Sequence, residues 1–275
     1  MPCRHERVAA AIMLLLNKKK KRSVWVRQWI SRRSEFGCFH NLLRELQIED
    51  AQQYFNLIRM TAVDLEILLQ KVGHLIKKED TRMRDSISPK ERLILTLRFL
   101  ASRESYHSLM YLLRIPVCTI SKIIPEVCNA LYDTLHEEYL KVPTTQSQWM
   151  HIAKMYEEKW NFPHCLGILD GKHIVFKAPA NSGSYYFNYN GSHSIVLMIV
   201  ADPSYKITYM NVGCNGRISD GGVFLQSSLF SALENNTLDL PPYSPLPGRS
   251  MPVPYVFIAD DSFAIKPYLM KPFHF

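Results

Sequence analysis

The chain has 275 residues, 47% of them hydrophobic, and a formal net charge of +8. This length and composition allow one large domain or two modest ones, and they exclude a chain that is disordered throughout. The six cysteines show no CxxC pairing, which indicates reduced thiols of an intracellular protein and disfavours a disulfide framework or a zinc site.

The positive charge lies in the first half of the chain. Residues 1–150 hold 24 Lys and Arg against 16 Asp and Glu, whereas residues 151–275 hold 9 of each. The densest stretch contains a run of basic residues, Lys18, Lys19, Lys20, Lys21 and Arg22. Such a run is typical of a nuclear import signal or a phosphate-binding segment, and a solvated basic tail is the alternative. We therefore predict a DNA-binding protein of the nucleus, with the cytoplasm as a second location.

The apolar run from Val8 to Leu16 is a candidate signal peptide. The basic run follows it directly and occupies the place where the small residues of a cleavage site belong. The apolar run is also too short to span a bilayer. The sequence therefore predicts no membrane association.

Residues 39–142 carry the three- and four-residue apolar spacing that is typical of helices. Ser88, Pro89 and Glu91 predict a capped helix start, because Pro is favoured at the first helical position and Ser with Glu three residues later forms a capping box. We predict a basic N-terminal segment over 1–38 and a helical domain over 39–142.

Two short predicted helices, over residues 105–114 and 117–124, are separated by a break at Ile115-Pro116 and resemble a helix-turn-helix unit. Three polar residues of the second helix would face outward, where they could reach phosphates or base edges: Thr119, Ser121 and Lys122. The same geometry is common in helical domains that never touch DNA, so a purely structural role is the alternative.

The pattern changes after Pro143, where a connector over 143–164 is predicted to contain a helix. Three apolar runs follow, joined by short turns, and they imply an antiparallel meander of strands over 165–177, 193–202 and 206–213. A helix then begins at Ser219 or Asp220 and a proline-rich loop covers 235–254. The apolar run 255–259 comes after this helical crossover, which favours parallel pairing with an earlier strand.

Two aspartates end or interrupt apolar runs that are predicted to be buried strands, Asp170 and Asp260. A carboxylate in such a place is costly to bury unless it has a partner or a metal. Two of them on neighbouring strands would form an oxygen-rich site suited to Mg²⁺ or Mn²⁺. This arrangement predicts a divalent-metal centre that cleaves phosphodiesters.

Three segments, Leu169–Ile174, Gly216–Phe224 and Ala259–Pro272, resemble PIF/Harbinger-type transposases and their domesticated nuclease relatives among the DDE nucleases. The resemblance covers roughly residues 22–273. It implies an α+β protein in which a helical N-terminal region, with the helix-turn-helix-like unit, precedes an incomplete ribonuclease-H-like α/β domain with a mixed sheet over 165–275.

The resemblance also implies roles for single residues. Asp170 would be the first catalytic carboxylate and would bridge two metal ions, and Asp260 would be the second and hold one of them. Asp261 is the neighbouring alternative, and the register decides because adjacent strand residues point to opposite faces. Lys172 would contact phosphate. For Asp220 we favour a helix cap over a supporting role in the site.

The family resemblance further implies a third acid, usually Glu, on a later helix, together with a fifth strand, a DNA substrate and a Myb-like DNA-binding partner protein. The chain ends 15 residues after Asp260 and is predicted to contain neither the acid nor the strand. We therefore expect an impaired two-metal nuclease whose fourth strand has an unpaired edge. The alternative is a catalytically inactive DNA-binding or protein-binding relic.

Overall fold

A computed structural model describes residues 24, 26–82 and 85–272. The basic run at residues 18–22 lies outside these described residues. The chain divides between Tyr132 and Asp133 into two compact units, which we call the helical unit and the sheet unit.

The helical unit contains α-helices, and side-chain caps mark the starts of several of them. The predicted start at Ser88 is confirmed, because the Ser88 hydroxyl accepts a hydrogen bond from the Glu91 amide and Pro89 is the first helical residue. The helices are α1 Gln28–Ser31, α2 Arg33–Phe36, α3 Leu42–Glu49, α4 Ala51–Ile58, α5 Ala62–Ile76, α6 Pro89–Ser102, α7 Tyr106–Leu113 and α8 Val117–Tyr139, whose last residues belong to the sheet unit.

A single apolar core holds the helical unit together. Leu65 and Val72 of α5 and Leu93 of α6 are completely buried in it. Charged residues at the margin of this core are paired: Arg92 contacts Glu126 at 2.5 Å, and Lys78 contacts the same carboxylate. The buried charges of this unit are therefore matched within the unit.

The predicted second helix of the helix-turn-helix-like unit is wrong in length. Helix α8 runs on from Val117 to Tyr139, and Pro125 lies inside it. Proline removes one backbone hydrogen bond and its ring crowds the preceding turn, but packing of the apolar face of α8 outweighs this cost and the helix continues through it. Helices α7 and α8 bend by 103° at the break, and the helix-turn-helix assignment itself is not confirmed.

The sheet unit has the α+β architecture and the mixed sheet that the sequence predicts. Its five-stranded sheet has the order β3-β2-β1-β6-β7. The elements are α9 Gln146–Trp160, β1 Cys165–Val175, β2 Ser194–Ala201, β3 Ile207–Asn215, α10 Asp220–Leu225, α11 Ser228–Glu234, β4 Ser244–Pro245, β5 Pro252–Val253, β6 Val256–Ala259 and β7 Leu269–Met270.

The pairing within the sheet confirms both predicted connections. Strands β1, β2 and β3 form the antiparallel meander, and β6 pairs with β1 in parallel after the helical crossover. The predicted absence of a fifth strand is wrong. Strand β7 pairs in parallel with β6, and although it has only two residues, it covers the edge that was expected to be unpaired.

The two faces of the sheet differ. One face packs against helices α9, α10 and α11 around a core that includes Trp149, Met198 and Phe257. Apolar side chains of the other face are exposed, among them Ile168, Ile174, Met210 and Val212. Asp170 is two residues after Ile168 in β1, and residues two apart in a strand lie on the same face, so Asp170 lies on this open face.

In the described residues, no single helix is long and apolar enough to cross a membrane. The bent pair α7 and α8 passes the test when taken together, on length and composition alone.

Candidate functional site

The register of the two parallel strands brings Asp170 and Asp260 next to each other. Ile168 pairs with Ile258 and Leu169 pairs with Ala259; Asp170 is the next residue of β1, and Asp260 is the first residue after the end of β6. Neighbouring strands lie about 4.8 Å apart, and both side chains are exposed. The structure therefore brings two carboxylates together on one face at the carboxyl end of β6.

Local hydrogen bonds hold one oxygen of each carboxylate. Asp170 Oδ1 accepts from the Gly171 amide at 2.8 Å. Asp260 Oδ1 accepts from the Ser262 amide at 3.1 Å and from the Ser262 hydroxyl at 2.5 Å. Each aspartate thus has a fixed orientation, and neither makes an ion pair within the described residues.

Asp261 has a different environment from its neighbour. Its carboxylate forms an ion pair with Lys271, at 3.2 Å between Oδ1 and Nζ. Asp261 lies in the turn that follows β6, so strand alternation does not set its direction, and its carboxylate is already engaged by Lys271. The placement favours Asp260 over Asp261 as the companion of Asp170.

A third carboxylate, that of Asp220, lies against β1. The predicted cap at Asp220 is wrong, because the cap of α10 is Ser219, whose hydroxyl accepts from the Gly222 amide, and Asp220 is the first helical residue. A Cβ atom at Gly171 would lie 2.3 Å from Cγ of Asp220. Gly171 is therefore required for space, since any side chain there would displace the carboxylate.

The charges of the three aspartates act on one another. Burial raises the pKa of Asp220, the nearby His173 lowers it, and the negative charges of Asp260 and Asp170 raise it further. Asp220 Oδ1 is also buried without a hydrogen-bond partner in the described residues. Like charges in such proximity favour either a proton or a cation among them.

The donors fit a divalent metal ion in their chemistry. Mg²⁺ prefers carboxylate oxygens and is usually bound by one or two carboxylates, with water and substrate phosphates as its other ligands. Asp170 and Asp260 offer such a pair. Within residues 24, 26–82 and 85–272, however, no group of three or more His, Cys, Asp or Glu side chains is close enough to hold a metal ion by itself.

Two further residues of β1 lie near this acidic site. Lys172 is exposed and lies two residues after Asp170 in β1, so both are on the open face. His173 lies on the other face, where its Nδ1 is 2.9 Å from the hydroxyl of the fully buried Ser194. Lys172 therefore lies on the same face of β1 as Asp170, whereas His173 is held by the protein.

The remaining predicted DNA contacts lie elsewhere in the chain. Ser121 and Lys122 are exposed on α8, and Thr119 is half-buried. The Ser121 hydroxyl donates to the Cys118 carbonyl at 3.1 Å. These residues belong to the helical unit. The predicted contacts Lys18 to Arg22 lie outside the described residues.

Sequence reasoning missed two residues that shape the acidic site. Ser262 orients Asp260, and its position two residues after an acid at a strand end is the signal of an Asx-type turn. Gly171 admits Asp220, and an isolated glycine within a strand indicates the close approach of another group. Both signals are present in the sequence.

Residues 169–274 match the sequence profile of a family described as "DDE superfamily endonuclease". The matched segment contains the three aspartates of the acidic site, Asp170, Asp220 and Asp260. It begins at the residue before Asp170 and extends past β7.

Named proteins resemble a longer part of the chain. The "Putative nuclease HARBI1" proteins of Rattus norvegicus and Homo sapiens are 22% identical over 242 residues, which is 87% of this chain and 64% of theirs. The "Protein ALP1-like" of Arabidopsis thaliana is 24% identical over 189 residues, 68% of this chain and 45% of its own. The chain thus spans less than two thirds of the length of these relatives. No solved structure matches.

Proposed function

We propose that the chain cleaves DNA with the help of a divalent metal ion, because residues 169–274 match a family described as "DDE superfamily endonuclease" and the chain is similar to proteins named "Putative nuclease HARBI1". In the reaction, water adds to the phosphorus of a phosphodiester and one P–O ester bond breaks. One product then carries the phosphate and the other a hydroxyl group.

The register between β1 and β6 is the observation that supports this proposal most directly. It aligns Asp170 with Asp260 on one face of the sheet, and neither carboxylate has a cation from the described residues. Both carboxylates are exposed, so their oxygens are accessible to a ligand from solvent. The arrangement is accounted for if an external cation binds between them.

Asp170 and Asp260 would hold Mg²⁺ or Mn²⁺, and Asp220 would support them from the other side of Gly171. A metal ion in such a site lowers the pKa of bound water and offsets the charge that develops on the phosphate oxygens. Lys172 would contact a neighbouring phosphate. Ser262 would keep Asp260 in position through its two hydrogen bonds.

Nicking of supercoiled plasmid by the purified chain with Mn²⁺ tests the proposal. We expect nicking by the wild type and none by Asp170→Ala or Asp260→Asn. Asp261→Asn is the matched control, because it removes a neighbouring carboxylate that is already paired with Lys271. Equal nicking by the wild type and Asp170→Ala would indicate a contaminant and would refute the proposal.

A catalytically inactive DNA-binding protein is the second candidate function, and the charge distribution favours it. The whole excess of Lys and Arg lies in residues 1–150, and Lys122 is exposed on α8. This function predicts binding to duplex DNA that weakens steeply as salt is raised, with no cleavage. A slope of log affinity against log salt near zero would count against it.

Nuclear localisation and a Myb-like partner remain proposals that rest on the basic run and on the family. Replacing Lys18 to Arg22 with alanine in a tagged chain should shift it from the nucleus to the cytoplasm. An unchanged distribution would show that this run does not direct import.

A further inference from the structure

The loop between β1 and β2 presents aromatic rings to solvent beside the acidic site. Tyr185 is 58% exposed, Phe187 45% and Tyr189 83%. Single exposed aromatic residues are ordinary, but three within five positions of one loop form a cluster. We call residues 178–193 the aromatic loop.

The aromatic loop is tightly anchored despite its exposed rings. Asn188 is buried, and its Oδ1 accepts from the amides of Asn190 and Ser192, both at 3.0 Å, and from the Ser192 hydroxyl at 3.1 Å. Its amide nitrogen donates to the Ser194 hydroxyl at 2.9 Å. The rings are thus held in place, and binding a ligand would cost little conformational entropy.

The same hydrogen bonds connect the aromatic loop to β1. The Ser194 hydroxyl also contacts Nδ1 of His173, and the His173 ring meets Tyr189 edge to face at a centroid distance of 5.3 Å. His173 is three residues from Asp170, which is about 10 Å along a strand. Tyr189 therefore lies toward the end of β1 from which the aromatic loop leaves the sheet, on the face of His173 and Asp220.

Basic side chains surround the aromatic loop. Lys172, Lys177 and Arg217 are exposed and make no ion pair in the described part of the chain. Arg217 follows Gly216, whose missing side chain lets the backbone pack against the Tyr186 carbonyl, 2.9 Å from where a Cβ atom would be. Aromatic rings interleaved with unpaired cations are the usual surface for single-stranded nucleic acid.

We propose that the aromatic loop is a stacking platform for unpaired bases of the DNA next to the cleaved phosphate, with Tyr189 as its central ring. The inference rests on the proposed function for its substrate. Bases of any sequence can stack on an aromatic ring, and the flanking cations neutralise the phosphates. A continuous duplex hides its base faces, so the platform favours DNA that is single-stranded or opened near the cut.

The test is the affinity of the full chain for a single-stranded oligonucleotide that contains 2-aminopurine, measured by fluorescence in EDTA. An Asp170→Asn background excludes cleavage. Tyr189→Ala should weaken binding about tenfold and reduce the quenching of the base, whereas Tyr189→Phe should retain both because the ring is kept. Tyr205→Ala is the matched control, since Tyr205 is 78% exposed but lies in the β2–β3 turn, at the other end of the sheet.

The loss for Tyr189→Ala should be several times larger for the single strand than for a duplex of the same sequence. Equal losses on both DNAs, a loss as large for Tyr205→Ala, or a Tyr189→Phe variant as weak as Tyr189→Ala would each overturn the inference. An unchanged melting temperature of Tyr189→Ala shows that the fold is intact. Because binding is measured without metal, failure of the wild type to nick DNA would refute the nuclease proposal and leave this result unaffected.

Discussion

Two acids of the helical unit and two aspartates of the sheet unit differ in how their charges are matched. In the helical unit, the buried Glu91 lies 3.4 Å from Arg33, and Glu126 contacts both Arg92 and Lys78. In the sheet unit, Asp170 and Asp260 lie side by side and make no ion pair with a described residue. A charge that is matched inside the protein serves the fold, whereas two exposed carboxylates that are left unmatched remain available to a cation from solution.

Breaking a matched pair in the helical unit should have the largest effect on stability. Arg92→Ala leaves Glu126 without its buried partner and should lower the free energy of unfolding by about 3 kcal/mol. Urea denaturation measures it. The exposed pair Lys154–Glu158 is the control, and Lys154→Ala should cost less than about 0.5 kcal/mol. Equal costs would mean that burial does not distinguish these pairs.

Gly171→Ala tests whether the space between β1 and the Asp220 carboxylate can hold a side chain. The new methyl group would collide with the Asp220 carboxylate, so we expect a loss of about 1–3 kcal/mol in unfolding free energy, with reduced nicking. Gly73→Ala in α5 is the matched control, because its nearest neighbour is a Leu69 side-chain atom at 3.4 Å. That change should stabilise the helical unit by about 0.5–1 kcal/mol. Similar outcomes at both glycines would contradict this interpretation.

Neutralising an unmatched acid should be harmless to the fold. Asp260→Asn keeps the oxygen that accepts from Ser262 and removes a negative charge, so in EDTA its stability should lie within about 0.5 kcal/mol of the wild type, on the stabilising side. Glu126→Gln in the helical unit should lose stability in the same assay, because it weakens two ion pairs. A destabilised Asp260→Asn would indicate that this carboxylate is structural.

The smallest expected effect is a dependence of stability on pH that comes from Asp220. Its pKa is raised in the folded state, first by burial and then by the charges of Asp260 and Asp170, against the opposing effect of His173. Below the ordinary pKa of 3.8 the carboxyl is uncharged in both the folded and the unfolded state. As the pH rises from this value through the higher pKa of the folded state, the unfolded state loses the proton more readily, so the free energy of unfolding decreases.

In metal-free buffer, the stability of the wild type should therefore fall relative to Asp220→Asn as the pH rises above this ordinary value. Paired urea titrations of the two proteins across the acidic range measure the difference, in which the contributions of other titrating groups cancel. A difference that does not change with pH would show that the pKa of Asp220 is the same in the folded and the unfolded state.

Much of the sheet could be predicted because its signals are local. The three apolar runs with short turns gave the antiparallel meander, and the crossover before Val256 gave the parallel pairing. The neighbouring placement of Asp170 and Asp260 followed from their positions at these strands. Local spacing was sufficient here because strand alternation fixes the face that each residue occupies.

The errors arose where tertiary contacts decide the outcome. Pro125 is a helix breaker by propensity, yet α8 continues through it, because packing of its apolar face outweighs one lost hydrogen bond. Strand β7 has too few residues to leave a periodic pattern. The position of Asp220 depends on a glycine about fifty residues earlier, and no local pattern reports that contact.

The codon for Gly171 also provides a test of selection on the gene. Every single-nucleotide change of a glycine codon that replaces glycine with another amino acid adds a side chain, and each of those side chains would meet the Asp220 carboxylate. In a copy of the gene that no longer needs its acids, such changes would accumulate as freely as at other half-exposed positions. Retention of glycine at this position among closely related genomes would thus distinguish a copy under selection for its acidic site from a decaying one.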